Sequence, residues 1–226
     1  MNQVTINYYN ILNKINQLAN SNNPLTLIAV SKTFAPNLII QLYELGQKDF
    51  AENYAQELAF KAQQLNNLKI NWHFIGNIQS NKIKLISKYA SWVHSLSCPK
   101  HAILLNTARM AHSKNPLNVL IEVNISHDKN KSGVFNLEEI LSLAQVISAH
   151  QQLRLRGLMG IASYTNDNKI IAQQFGQLHH FFNQLKIHGY VVDTLSMGMS
   201  ADYQLAIENG ATMLRIGSLI FGSRAT

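Results

Sequence analysis

Short apolar runs alternate with stretches of helical periodicity along the whole chain, and this alternation constrains the fold more than any other feature. The runs centre on Leu27–Val30, Asp49–Ala51, Trp72–Ile75, Trp92–Val93, Val119–Val123, Leu155–Met159, Val192–Leu195 and Met213–Ile216. Several are nearly continuous, as expected of strands buried on both faces. The second and fourth are weak on propensity alone. Between the runs, Ile171, Phe175, Leu178, Phe182 and Leu185 share one helical face, as do Leu137, Ile140, Leu141, Ala144 and Ile147. Asn136 and Glu139 have capping-box spacing. Pro36 suits the first turn of a helix that ends near Gly46. An extra helix carrying Tyr8, Leu12, Ile15 and Leu18 precedes the first strand, with Asn20–Pro24 as its exit loop.

Strand–helix alternation implies parallel strands joined by helical crossovers. About eight such units in 226 residues predict an α/β fold, a single closed (β/α)8 TIM barrel spanning 1–226. An open doubly wound sheet is the alternative, but no glycine-rich dinucleotide fingerprint follows the first strand. Little chain is left over for a second domain. Hydrophobic residues make up 46%, enough for a sizeable core. The 19 basic and 12 acidic residues leave +7, yet the positive charge is scattered. Lys82, Lys84 and Lys88 form the one dense stretch, read as a solvated helix face. No nucleic-acid motif or basic stripe is present. No apolar run has the length of a bilayer span. Cys98 is alone and forms no internal disulfide, which fits a reducing, cytoplasmic setting.

In such a barrel, chemistry gathers at the carboxyl ends of the strands. Lys32, Asn53, His94, Asn124, Met159, Ser196, Arg215 and Gly217 lie at these ends, and His73 lies within its run. A lysine closing a buried strand projects into a partly desolvated mouth. Desolvation favours the neutral amine, the form that attacks an aldehyde. A solvated lysine at a strand end is the other reading of the same position. The segment Ser196–Ser200 joins a strand to a helix beginning near Ser200 or Ala201, with Gly198 allowing close ligand approach and Ser200 as N-cap. Arg215, Gly217 and Ser218 follow the eighth strand. Loops after strands seven and eight are where barrels often hold phosphate. Asp202 is in tension with that reading, because its carboxylate must turn away from a dianion. Arg215 can donate to a ring nitrogen and keep it unprotonated. The histidines show no metal-ligand spacing.

The ordered segments Ala29–Lys32, Glu52–Tyr54, Trp72–Gly76, Gln79–Lys82, Asn124–Ser126, Lys131–Gly133, Arg156–Met159, Ser196–Ser200 and Met213–Gly217 closely resemble the YggS/PROSC family of pyridoxal phosphate (PLP) homeostasis proteins. The resemblance implies a barrel like the N-terminal domain of alanine racemase. It implies a Schiff base between PLP and Lys32, and phosphate contacts from Ser200, Gly217 and Ser218. Arg215 then faces the pyridine nitrogen, and Asn53, His73, Met159 and Ser196 complete the cofactor set. Two residues depart from the family pattern, Asn77 for proline and Ser218 for threonine. The second keeps its hydroxyl. The family further implies a monomer that buffers PLP, with apo PLP enzymes as conceivable recipients, rather than a committed enzyme. A small PLP-dependent amino-acid racemase is the alternative.

Overall fold

Each apolar run becomes a strand. The computed structural model describes residues 2–18, 25–112 and 115–222; the expected exit loop Asn20–Pro24 lies outside them. The strands are β1 (Thr26–Val30), β2 (Asp49–Glu52), β3 (Asn71–Phe74), β4 (Trp92–Leu96), β5 (Leu117–Val123), β6 (Leu153–Gly160), β7 (Thr194–Ser196) and β8 (Met213–Ile216). They pair in sequence order, all parallel, and β1 pairs with β8 to close the barrel. The weak second and fourth runs are strands because both neighbours complete their hydrogen bonds. Asp49, Phe50, Ala51 and Glu52 register with Asn71, Trp72, His73 and Phe74. β4 extends three residues further than its apolar run, so His94 lies inside the strand instead of after it.

The helices are α1 (Gln3–Leu18), α2 (Pro36–Glu44), α3 (Ala55–Gln64), α4 (Ile83–Tyr89), α5 (Pro99–Met110), α6 (Leu137–Ser148), α7 (Asn168–Ile187), α8 (Tyr203–Glu208) and α9 (Ser218–Phe221). Their apolar faces cover the outside of the sheet. Ile171, Phe175, Leu178, Phe182 and Leu185 of α7 are all buried, and burial of each such side chain contributes roughly 1.5–3 kcal/mol. The Asn136 side chain accepts from the Glu139 N–H at 2.9 Å, capping α6. Pro36 opens α2, and Gly46 follows its end at φ +101°. α1 buries Tyr8, Ile11 and Ile15. Leu18, expected on that stripe, is 41% exposed. Among the described residues no helix is long and apolar enough to cross a membrane.

Inside the barrel, Ile28, Val30, Ala51, Trp92, Leu120, Met159 and Met213 form a second apolar cluster. Unusually polar side chains share that interior. His73, His94, Glu122, Ser196 and Arg215 are all buried there.

Candidate functional site

A cavity of about 480 Å³ opens at the carboxyl ends of the strands. Lys32, Asn53, Met159, Ser200, Arg215, Gly217 and Ser218 all line it. Five separate strands therefore bring seven of the expected site residues to one mouth.

Lys32 stands in the turn after β1, half-buried. The residues on either side of it are tied down. The Ser31 hydroxyl donates to Glu52 Oε1 at 2.6 Å, and the Thr33 N–H donates to Glu57 Oε1 at 2.7 Å. Thr33 is held at φ +70°, a conformation disfavoured for a β-branched residue. Beneath the turn, the buried Lys61 ammonium donates to Ser31 O, Glu52 Oε1 and Glu57 Oε1 at 2.7, 2.8 and 2.8 Å. Phe34 stacks on Phe221 with ring centroids 4.9 Å apart and forms a side wall. Asn53 is placed by a glycine after the neighbouring strand, β3. A Cβ on Gly76 would fall 1.9 Å from Asn53 O, so only glycine permits that close approach.

Two further turns, after β7 and β8, line the cavity. Gly198 adopts φ +90°, and the Arg215 N–H donates to its carbonyl at 3.0 Å, docking the β7 turn against β8. Gly217 and Ser218 open α9, where the Leu219 N–H donates to Ser200 Oγ at 3.4 Å and the Ile220 N–H to Gly217 O at 2.9 Å. Ser200 and Ala201 also line the cavity. The helix expected to begin at Ser200 starts instead at Tyr203. Residues 199–202 close on themselves first: the Met199 N–H donates to Asp202 Oδ1 at 2.6 Å. This resolves the tension over Asp202. Its carboxylate is occupied by the main chain and does not line the cavity. Burial raises its pKa, opposed by the Met199 hydrogen bond and by the charge of Arg215.

Arg215 is 4% exposed and crosses from interior to mouth. It donates through Nη1 to Ser196 Oγ at 2.7 Å and through Nη2 to Gly160 O at 3.0 Å. Burial lowers its pKa to about 10, while Asp202 and Glu122 act to raise it. The guanidinium thus stays charged at neutral pH.

His73 and Ser196, expected around the cofactor, are not on the cavity wall. Both are fully buried; Ser196 accepts from Arg215 directly, and His73 connects to it through His94 and Ser196. Both side chains bond within the barrel interior, while their chain neighbours Trp72, Phe74, Leu195 and Met197 belong to the outer core. Asn124 holds its own loop, donating to Asp128 O and Lys131 O at 2.8 and 3.0 Å. Lys84 and Lys88 are exposed on α4, whereas half-buried Lys82 lines an adjoining cavity with Asn53 and Glu122. Among the described residues no group of three His, Cys, Asp or Glu side chains forms a metal site. Reading the sequence overlooked the apolar wall of Phe34, Ile75 and Ile161, and also Tyr164, at the cavity rim. Lys61 was overlooked too; its spacing of four from Glu57 was the available signal.

An amine, a charged guanidinium and two serine-bearing turns lining one cavity suit a small, flat, phosphorylated aldehyde. The alanine racemase N-terminal domain model matches residues 6–225, so the chain is a barrel of that class. Alanine racemase of Clostridium difficile 630 shares the fold at 15% identity and TM-score 0.77, over 99% of this chain and 57% of its own. Within the class the match is narrower. A pyridoxal phosphate homeostasis protein of Pasteurella multocida is 44% identical over 219 residues, covering 95% of this chain and 93% of its own. PipY of Synechococcus elongatus PCC7942, solved with PLP bound, superposes at TM-score 0.83 with 27% identity, covering 97% of this chain and 100% of its own. The chain belongs to the family of pyridoxal phosphate homeostasis proteins.

Proposed function

We propose that this chain holds PLP covalently on Lys32 and serves PLP homeostasis as a carrier, without committed catalysis. The observation that carries the reading is the convergence of Lys32, Arg215, Ser200, Gly217 and Ser218 on one cavity. Bound PLP supplies an aldehyde that condenses with a primary amine. Lys32 is the amine of the cavity wall. The serine hydroxyls and the first N–H groups of α9 bind the phosphate. Met159 and Asn53, both on the cavity wall, would line the bound cofactor. Arg215 holds the ring nitrogen as an acceptor, because a guanidinium with a pKa of about 10 keeps its proton at neutral pH. That arrangement weakens the ring as an electron sink and favours holding over carbanion chemistry. We assign the whole task to one barrel, residues 1–226, working as a cytoplasmic monomer that passes PLP to apo-enzymes. The lone Cys98 fits that reducing setting.

Borohydride reduction followed by peptide mass spectrometry tests the assignment. The cofactor mass should sit on Lys32, and Lys32→Ala should lose both the mass and the yellow colour. A colourless wild type after addition of PLP, or trapping on another lysine, refutes it. Tyr164 at the rim gives the racemase alternative one specific residue. Rapid exchange of α-protons of amino acids into deuterated solvent, abolished by Tyr164→Phe, would favour that alternative over the carrier.

A further inference from the structure

Five inward-facing side chains form an unbroken hydrogen-bonded chain through the barrel. Asp49, the first residue of β2, lies at the face opposite the cavity and keeps 22% side-chain exposure. Its Oδ1 is 3.0 Å from His73 Nε2. His73 Nδ1 is 2.9 Å from His94 Nε2, and His94 Nδ1 is 3.0 Å from Ser196 Oγ. Ser196 Oγ accepts from Arg215.

The two ends dictate the direction of every bond. A carboxylate only accepts and a guanidinium only donates. His73 therefore carries its proton on Nε2. A neutral imidazole has one N–H, so His73 Nδ1 accepts and His94 Nε2 donates to it. His94 Nδ1 must then accept, from the Ser196 hydroxyl. Ser196 keeps its lone pairs for Arg215. Each link has one donor and one acceptor, and all protons point toward Asp49. Burial pushes the pKa of both histidines down, against the upward pull of Asp49 on His73 and with His73 and Arg215 adding to the effect on His94, so both rings are neutral at neutral pH. The surroundings conform. Asn71 also donates to Asp49 Oδ1, at 3.1 Å, and the Trp92 ring stacks on His73 at 5.6 Å. Asp202 and Glu122 are the acidic groups whose charge acts on Arg215.

We infer that Asp49 anchors a one-way relay that orients Arg215 toward the cofactor ring from the far side of the barrel, which makes Asp49, His73, His94 and Ser196 positioning residues. This rests on the reading that PLP occupies the cavity with its ring at Arg215. The polarised relay turns its negative ends to Arg215 and its positive ends to Asp49, so it stabilises both charges while itself neutral. An asparagine at position 49 can present either its oxygen or its amide nitrogen to His73. Both tautomeric directions then become available. In the reversed one, His94 Nδ1 donates to Ser196, whose hydroxyl proton loses its partner.

The experiment is ¹⁵N-histidine NMR on the full, PLP-free chain, followed by PLP titration monitored by visible absorbance. His73 and His94 should both show the neutral Nε2–H tautomer at about pH 7.5. Asp49→Asn should populate a second tautomer in both rings, and Asp49→Glu should restore the first. Asp49→Asn and Ser196→Ala should each weaken PLP binding about fivefold or more and move the pH midpoint of the bound chromophore. A charged or Nδ1–H His94 in the wild type overturns the relay. So does unchanged PLP affinity with an unmoved midpoint in both variants. Ser196→Ala keeps the test open if Asp49→Asn does not fold. Failure of the wild type itself to bind PLP would defeat the cofactor reading and leave the tautomer result standing, so the two are separable.

Discussion

Replacing Lys61 by methionine should destabilise the protein in a pH-dependent way. The substitution keeps the apolar stem and removes the ammonium. Lys61 and Glu52 are 2.8 Å apart and essentially inaccessible to solvent. Burial pushes the Glu52 carboxyl up to about 7, against the downward pull of Lys61 and Ser31. Because that folded pKa lies above the ordinary value of 4.5, protonated Glu52 adds stability that is fully present below the unfolded pKa and lost as pH rises through about 7. Without Lys61 the folded pKa climbs further. Relative to wild type, the variant's deficit then grows above pH 7 by up to about 1.4 kcal/mol per pH unit. Below pH 7 both proteins hold Glu52 neutral. What remains there is the buried Ser31 carbonyl stripped of its charged donor, worth about 1–3 kcal/mol. The expected loss is about 2 kcal/mol near pH 6, rising to about 3.4 kcal/mol near pH 8, within the range for breaking a buried pair. Urea unfolding at the two pH values measures it by linear extrapolation. Adding Glu52→Gln to the variant should remove the pH dependence. An equal loss at both pH values, or a loss below about 1 kcal/mol near pH 8, would refute the reasoning.

Two glycines give further tests. Gly198→Ala places a methyl 2.5 Å from the Ala206 Cβ at a backbone φ of +90°. It should cost about 1–3 kcal/mol in thermal or urea unfolding, and it should weaken inorganic phosphate binding through the adjoining turn. Gly76→Ala drives its methyl into Asn53 O at 1.9 Å, so one of the two loops must move. A loss of more than about 1 kcal/mol is expected, with reduced PLP affinity by absorbance titration; unchanged stability would show that the turn after β3 is slack.

Local patterns carried much of the architecture. The alternation of apolar runs with amphipathic faces is a short-range property of the chain, and the α7 stripe and the Asn136–Glu139 cap were legible residue by residue. Boundaries were less legible where tertiary bonding overrode propensity. β4 persists through His94 because neighbouring strands hold it. α8 begins late because Asp202 closes a turn with Met199 first. Lys32, Arg215 and the two glycine turns could be singled out because chemistry at strand ends leaves unusual residue types there.

What lies between those residues needed the closed barrel. Lys61 reads as one more surface lysine on a helix, yet packing swings it under the β1 turn, where three acceptors meet it. His73 and Ser196 were expected around the cofactor, yet both are fully buried in the barrel interior and off the cavity wall. The path from Asp49 to Arg215 draws on β2, β3, β4, β7 and β8. Periodicity states which face of a strand a side chain occupies. Which side chain it meets across the interior depends on tilt, register and closure, and these arise only when distant strands pair.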